Sequence, residues 1–402
     1  MRVRRCAVVW IEPREDASFQ LQDLFVGGTG IVGRLGWRAH APHLPAAVEV
    51  DAAQVALIGA LGPVDWVERA PLEQAHGADA VARLLESGLL LAHDDAHRAA
   101  QADAEFRAQG WHAGAALAHH ASRWQAVNAG ANPDEVLVRR GEAPPHFRPA
   151  QGVAIALPKL EADDFDDLLD ARATCRNFDV DAHVPLAAFS QLLARVFGAR
   201  GLLEHGPGLT VVKRTSPSGG ALHPAECLLI VQRVEGIAPG LYRYRMDGHA
   251  LEAVVPGVLP PREGDTSTRA PGDATPTPWD AEALRAFARI AVAGQEWFAD
   301  APVLCVLAPR FHRNFWKYRN HAKAYRVTVL DVGHLSQTLQ LCATQAGLAP
   351  FITAAINEVD IERAFGLTGY LESPIAVCGF GVRAASMATV EFDPNHKVWP
   401  RE

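Results

Sequence analysis

The chain has 402 residues, 49% of them hydrophobic and 21% charged, with a net charge of −8. That is the make-up of a globular protein long enough for two domains, and the acidic balance without a basic tail argues against nucleic acid as its main partner. No apolar run approaches the roughly 18 residues of a membrane span, and Met1–Trp10 has neither a full apolar signal region nor a cleavage site, so a cytoplasmic protein is expected.

Residues 1–50 alternate short apolar runs with Gly and Pro, which predicts a few strands and loops. Within them Gly28-Thr29-Gly30-Ile31-Val32-Gly33 matches G-x-G-x-x-G, and Asp51 lies about 20 residues on. A dinucleotide site needs a helix next, but Arg34-Leu35-Gly36-Trp37, Pro42 and Pro45 follow, so the segment reads as a glycine-rich turn. Asp51 then caps a helix through Leu61, ended by Gly62-Pro63; a second helix runs from Asp65 to Ala75 and a third from Asp79 to Glu86. Gly88-Leu89-Leu90-Leu91 turns into a strand, and three short helices before a strand predict a winged-helix-like unit. Residues 51–100 carry eight acids against three arginines, which would repel phosphate, so a peptide is the better partner for such a unit. A purely packing domain is the alternative.

Residues 96–130 are alanine-rich and predicted helical. The His93/His97 and His119/His120 pairs have no third ligand at metal spacing and read as solvated surface. A looser stretch leads to a second domain, giving an expected division into 1–150 and 151–402. Residues 255–280, dense in Pro, Thr, Gly and Asp, read as a mobile loop inside the second domain. A helix from 281, a strand at Val303–Leu307, a long helix from about Tyr325 to Ala346, read as buried from Asp331 on, and a last strand at Ile375–Phe380 follow. The six cysteines are far apart, form no C-x-x-C pair and read as reduced core thiols.

Five segments carry chemistry. Arg172-Ala173-Thr174-Cys175-Arg176 puts two guanidiniums and a hydroxyl on one loop, a pattern suited to bidentate grip on a phosphate. About 40 residues later, Ser216-Pro217-Ser218-Gly219-Gly220 is a small-residue turn whose paired glycines let a flat or anionic ligand approach the backbone. Lys317-Tyr318 pairs two proton-transfer groups in a chain with only five lysines, ahead of Tyr325-Arg326 and Gly333-His334-Leu335-Ser336-Gln337. Gly347-Leu348 and then Cys378-Gly379-Phe380-Gly381-Val382-Arg383 complete the series.

In this order and spacing the segments resemble the SagB-type dehydrogenases of the nitroreductase family, which oxidise heterocycles in ribosomally made peptides; the resemblance covers roughly residues 160–385. It implies an α+β fold with a central, mostly antiparallel sheet wrapped by helices, FMN as cofactor and a homodimer. It further implies that Arg172, Thr174, Arg176 and Arg383 hold the flavin phosphate and ribityl chain. Ser216, Pro217, Ser218, Gly219, Gly220, Gln337, Gly347 and Leu348 would complete the flavin site. Ala173 departs from the family's basic residue, and Thr174 replaces a serine but keeps the hydroxyl. Lys317 or Tyr318 would remove a proton from the substrate, a lysine shielded from bulk water losing its own proton more readily and so being available as the neutral base. The expected function is dehydrogenation of a precursor peptide, of the azoline-to-azole type, with oxygen restoring the flavin and other peptide-modifying enzymes as further partners. Two rivals remain open: an NAD(P)H-dependent reductase of small nitro or quinone compounds, and a flavin-free peptide-binding scaffold.

Overall fold

The computed structural model describes residues 1–93, 98–129, 141–149, 151–159, 161–206, 208–254 and 279–400. The loop expected at 255–280 falls outside these residues over 255–278, as does His97 of the His93/His97 pair. The chain forms two compact units, Met1–Ser122 with Phe311–Tyr325, and Arg123–Arg310 with Arg326–Glu402. Among the described residues no helix is long and apolar enough to cross a membrane.

In the first unit, β1 (Arg2–Arg5), β2 (Trp10–Phe19), β3 (Ile31–His40), β4 (Val48–Val50), β5 (Val67–Glu68) and β6 (Leu90–Ala92) make two small antiparallel sheets, ordered β5-β1-β6 and β2-β3-β4. The G-x-G-x-x-G segment lies at the tip of the β2–β3 hairpin and runs directly into β3. Gly30 has φ +74°, in the left-handed region, and its amide is fixed by Asp23 Oδ2 at 2.9 Å, so the segment is a turn.

Asp51 caps the helix Ala52–Ala60 in a reciprocal box with Gln54, each backbone N–H meeting the other's side chain at 2.9 Å. The helices Arg69–His76 and Ala78–Glu86 follow, and Leu57, Ile58, Val81, Leu84, Leu89 and Leu90 form the core. The strand after them, β6, pairs with β1, and the next described element is the helix Arg98–Gln109.

Two expectations need correction in this unit. The second helix, expected from Asp65, begins only at Arg69, because Val67 and Glu68 pair with β1 as β5. His119, expected on the surface, is buried against Trp111, Phe311 and Tyr325, with Nδ1 3.1 Å from the Tyr325 hydroxyl. Its helix, Ala113–Ser122, is so alanine-rich that the packing partner, not the helix's own composition, decides which face is buried.

The second unit is built on a six-stranded, wholly antiparallel sheet. A hairpin of β7 (Gly201–Glu204) and β8 (Thr210–Lys213) precedes β9 (Ala225–Val231), β10 (Gly240–Arg245), β11 (Ala250–Ala253), β12 (Val303–Pro309), β13 (Ala349–Thr353) and β14 (Ala376–Gly381). The order is β11-β10-β9-β12-β14-β13. Period-two alternation divides the side chains between two cores. Leu228, Ile230, Leu304 and Val306 pack with the helices Ala281–Ala291 and Glu358–Phe365 on one face. Cys227, Leu229, Cys305 and Phe380 pack with Leu186–Phe197 and Ala324–Gln345 on the other. Both faces are covered, which is why the central strands read as continuous apolar runs. All six cysteines are free and five are buried, as expected of reduced core thiols.

The helix Ala324–Gln345 has the length expected but is only half buried. Val332, Leu335, Leu339 and Ala343 recur on one face toward the core, while Gly333, His334 and Gln337 stay exposed.

Candidate functional site

The helix Ala324–Gln345 is the beam on which most of the expected segments hang. Three residues spaced three and four apart, Asp331, His334 and Thr338, share one side of it and hold the glycine turn. Asp331 Oδ2 accepts from the Ser218 hydroxyl at 2.5 Å and Oδ1 from the Gly219 amide at 3.2 Å. His334 Nδ1 lies 3.3 Å from the Pro217 carbonyl, and the Ser216 and Thr338 hydroxyls meet at 2.7 Å. Ser218 Oγ in turn accepts the His223 amide at 2.9 Å.

Gly219 is required by this approach: a Cβ there would lie 2.3 Å from Val327 Cγ1. Gly220, Ala221 and His223 have φ of +66°, +56° and +46°, with Leu222 right-handed between the last two, so two non-glycine residues of the turn adopt positive φ at a cost. Asp331 is buried at 3% exposure, and burial pushes its carboxyl above the ordinary aspartate value, opposed by the Ser218 and Gly219 hydrogen bonds.

The arginine loop reaches the same helix further along. The helix Asp164–Ala171, capped by Asp163, ends at Arg172, whose Nη1 donates to Gln340 Oε1 at 3.2 Å. The Cys175 amide donates to the Pro350 carbonyl at 2.8 Å, and Phe178 forms an antiparallel bridge with Arg383. The loop therefore lies between the start of β13 and the chain leaving β14. Gly347, at φ +71°, ends the long helix, and Leu348 leads into β13 beside this loop. Asp331 and Gln340 are nine residues apart, about 14 Å along the axis, and that spacing separates the glycine turn from Arg172.

The charges of this cradle are unevenly satisfied. Arg172 and Arg176 are half-buried, and neither makes an ion pair among the described residues. Arg383 instead pairs with the buried Glu391. Half-buried guanidiniums without carboxylates suit an incoming anion, so the residues present fit a ligand with a phosphate at one end. Thr174, half-buried between the two arginines, keeps its hydroxyl on the same loop. Gln337 lies on the exposed side of the helix and takes no part in holding the turn.

Lys317 and Tyr318 belong to the other compact unit, in the segment Phe311–Tyr325. They follow the helix Phe311–Phe315, and both their amides donate to the Asn314 carbonyl, at 3.2 and 3.1 Å. Fully buried Asn314 donates through Nδ2 to the Ala324 carbonyl at 2.8 Å, closing the loop, while Phe311 and Phe315 anchor it on Trp111. Lys317 Nζ lies 5.5 Å from the Tyr318 ring centroid. Lys317 is exposed, so the shielding from water expected of it is not supplied by the described residues of this chain.

Sequence reasoning missed Asp331, His334 and Thr338 as holders of the turn. Their spacing on one helix side was the available signal, but the same spacing describes any solvated polar stripe.

Comparison with known proteins bears on this geometry. The nitroreductase family model matches residues 169–382. A nitroreductase-like protein of Methanocaldococcus jannaschii is 24% identical over 216 residues, 54% of this chain and 91% of its own length. The trifolitoxin-processing protein TfxB of Rhizobium leguminosarum bv. trifolii is 28% identical over 167 residues, 41% of this chain and 38% of that protein. Among solved structures, the E. coli microcin synthetase McbBCD complex with truncated pro-MccB17 bound is similar at a TM-score of 0.45 and 22% identity, covering 64% of this chain and 84% of that one. The family model spans more than half of the chain and contains the arginine loop, the glycine turn and the whole of the six-stranded sheet; the chain belongs to the nitroreductase family.

Proposed function

We propose that the protein is an FMN-dependent dehydrogenase that introduces a double bond into a ribosomally made peptide. The observation that carries the cofactor is the pair of half-buried arginines, Arg172 and Arg176, without a carboxylate partner among the described residues, on a loop that shares a helix with the glycine turn. Arg172, Arg176 and Thr174 would hold the phosphate end; Ser216, Pro217, Ser218, Gly219 and Gly220 would lie along the ring end, with Gln337, Gly347 and Leu348 flanking it. FMN supplies hydride acceptance when bound. The protein's part is to fix the ligand between two rigid loops, and to supply a base.

Lys317 and Tyr318 are the proposed proton-transfer pair. Their loop is pinned by Asn314 and by the aromatic cluster, so the two side chains are presented on a fixed backbone. Lys317 Nζ would take a proton from a substrate carbon, with Tyr318 orienting the substrate or relaying that proton. Because Lys317 is exposed in the chain alone, the bound peptide or a second subunit would exclude water from it. A homodimer fits the apolar residues Val329 and Leu330, 39% and 56% exposed on the long helix. Peptide dehydrogenation is supported by the similarity to a trifolitoxin-processing protein; the first unit would be the peptide-binding part.

The test is to incubate purified protein with candidate precursor peptides and follow their mass. A loss of two hydrogens per modified site that requires the protein and disappears in Lys317→Ala supports the reading. Reduction of nitro compounds by NAD(P)H without any peptide product would replace it with the small-molecule reductase.

A further inference from the structure

Beyond β14 the chain runs as a surface tail, and among residues 385–400 only Glu391 is buried. Its sequence neighbours Val390 and Phe392 are 81% and 83% exposed. Apolar side chains point out and the charge points in, so apolar burial does not dock this tail. The carboxylate does.

Glu391 Oε1 accepts from the amides of Arg176 and Asn177, at 2.6 and 3.0 Å, and from Asn177 Nδ2 at 2.8 Å. Oε2 pairs with Arg383 Nη1 and accepts from Trp399 Nε1 at 2.9 Å. Asn177 continues the seam, its Oδ1 accepting the Ala388 and Thr389 amides at 2.8 and 2.7 Å. Asp393 gathers the amides of Lys397, Val398 and Trp399, at 3.1, 2.8 and 2.7 Å, which folds the tail back. Trp399 thereby lies over the Arg383 guanidinium, 5.4 Å from carbon to ring centroid.

These donors fill the acceptor capacity of one carboxylate, and Arg383 has its counter-charge. The three arginines that look equivalent in the sequence therefore divide: Arg383 is internally paired, while Arg172 and Arg176 are not paired among the described residues. We infer that Arg383 is a positioning residue and not a phosphate ligand: with Glu391 it locks the C-terminal tail onto the arginine loop, leaving the phosphate to Arg172 and Arg176. The phosphate half of this rests on the flavin reading above; the lock rests on the geometry alone.

The experiment titrates the full-length chain, stripped of flavin, with FMN and with riboflavin, which lacks the phosphate, and follows thermal unfolding of the same samples. The variants are Arg172→Gln, Arg383→Gln, Glu391→Gln and the double Arg383→Gln/Glu391→Gln. The preference for FMN over riboflavin should fall about tenfold or more in Arg172→Gln and stay within about twofold in the double variant. Each single change at the lock strands a buried partner, so both should lower Tm, and the double variant should lose less than the two losses added. A double variant that loses the FMN preference, or Tm losses that simply add, would overturn the inference. If the wild-type chain binds neither flavin, the flavin reading falls on its own; additive Tm losses would then still overturn the lock, and non-additive losses would uphold it.

Discussion

The glycine turn at 216–221 and the arginine loop at 172–178 are each held by one buried carboxylate, yet the carboxylates come from opposite kinds of chain. Asp331 projects from a regular helix and takes one hydroxyl and one amide. Glu391 projects from an exposed tail and takes a guanidinium, an indole, two amides and a side-chain amide. A helix carboxylate is placed by a backbone that already exists, so Asp331 needs only two hydrogen bonds to the turn, beside those that His334 and Thr338 make from the same helix. A tail has no such backbone, and a buried charge there persists only if its bonds also organise the chain that carries it. The two loops should consequently fail differently when their holders are removed.

The largest expected effect is at the turn's own anchor. Asp331→Ala leaves the half-buried Ser218 hydroxyl and Gly219 amide without their Asp331 acceptor and should cost about 2 kcal/mol of stability by denaturant titration. Asp331→Asn, which keeps an acceptor for Ser218, should cost markedly less. Equal losses in the two variants would mean that the site needs the charge and not the hydrogen bonds.

The loops should also separate by ligand end. Arg172→Ala should weaken FMN binding by roughly ten- to a hundredfold and leave riboflavin binding nearly unchanged. Gly219→Ala should weaken both alike, by about tenfold, because its Cβ displaces the turn from Val327. Val327→Ala in the same chain should recover most of that loss. An Arg172→Ala protein that loses both flavins equally would erase the division of labour between the loops.

Legibility followed the kind of signal each part leaves. The strand Val303–Leu307, the helix capped by Asp51 and the long helix from about 325 were readable because periodicity and caps are local. The arginine loop and the glycine turn were readable through their order and spacing. Their anchors were not. Asp331 lies in a helix whose exposed side carries other polar residues, so its burial depends on a turn more than 100 residues away. Glu391 sits between Val390 and Phe392, where every local rule would bury the neighbours and expose the acid. His119 was misread for the same reason, its environment being set by Trp111, Phe311 and Tyr325.

A third carboxylate gives the smallest and sharpest contrast. Glu358 accepts the Trp124 amide at 2.7 Å, and burial pushes its carboxyl up from 4.5 to about 7. The folded chain thus holds a proton there that the unfolded chain releases. This group's contribution to stability should be greatest below about 4.5, fall as pH rises to about 7, and stay level above. Glu358→Gln should remove that slope and stabilise the protein at pH 8 by about 1 kcal/mol after solvent screening. Unfolding measured at pH 5 and pH 8 checks the sign; a variant less stable than wild type at pH 8 would show that the charged form is the one the fold prefers.

The central claim is that the cradle on the helix Ala324–Gln345 holds a flavin mononucleotide, and the visible spectrum of the purified full-length chain tests it most directly. Flavin absorbance, with FMN released on denaturation at about one per chain, is the result predicted. A colourless protein that neither copurifies with FMN nor takes it up at micromolar concentration would contradict it.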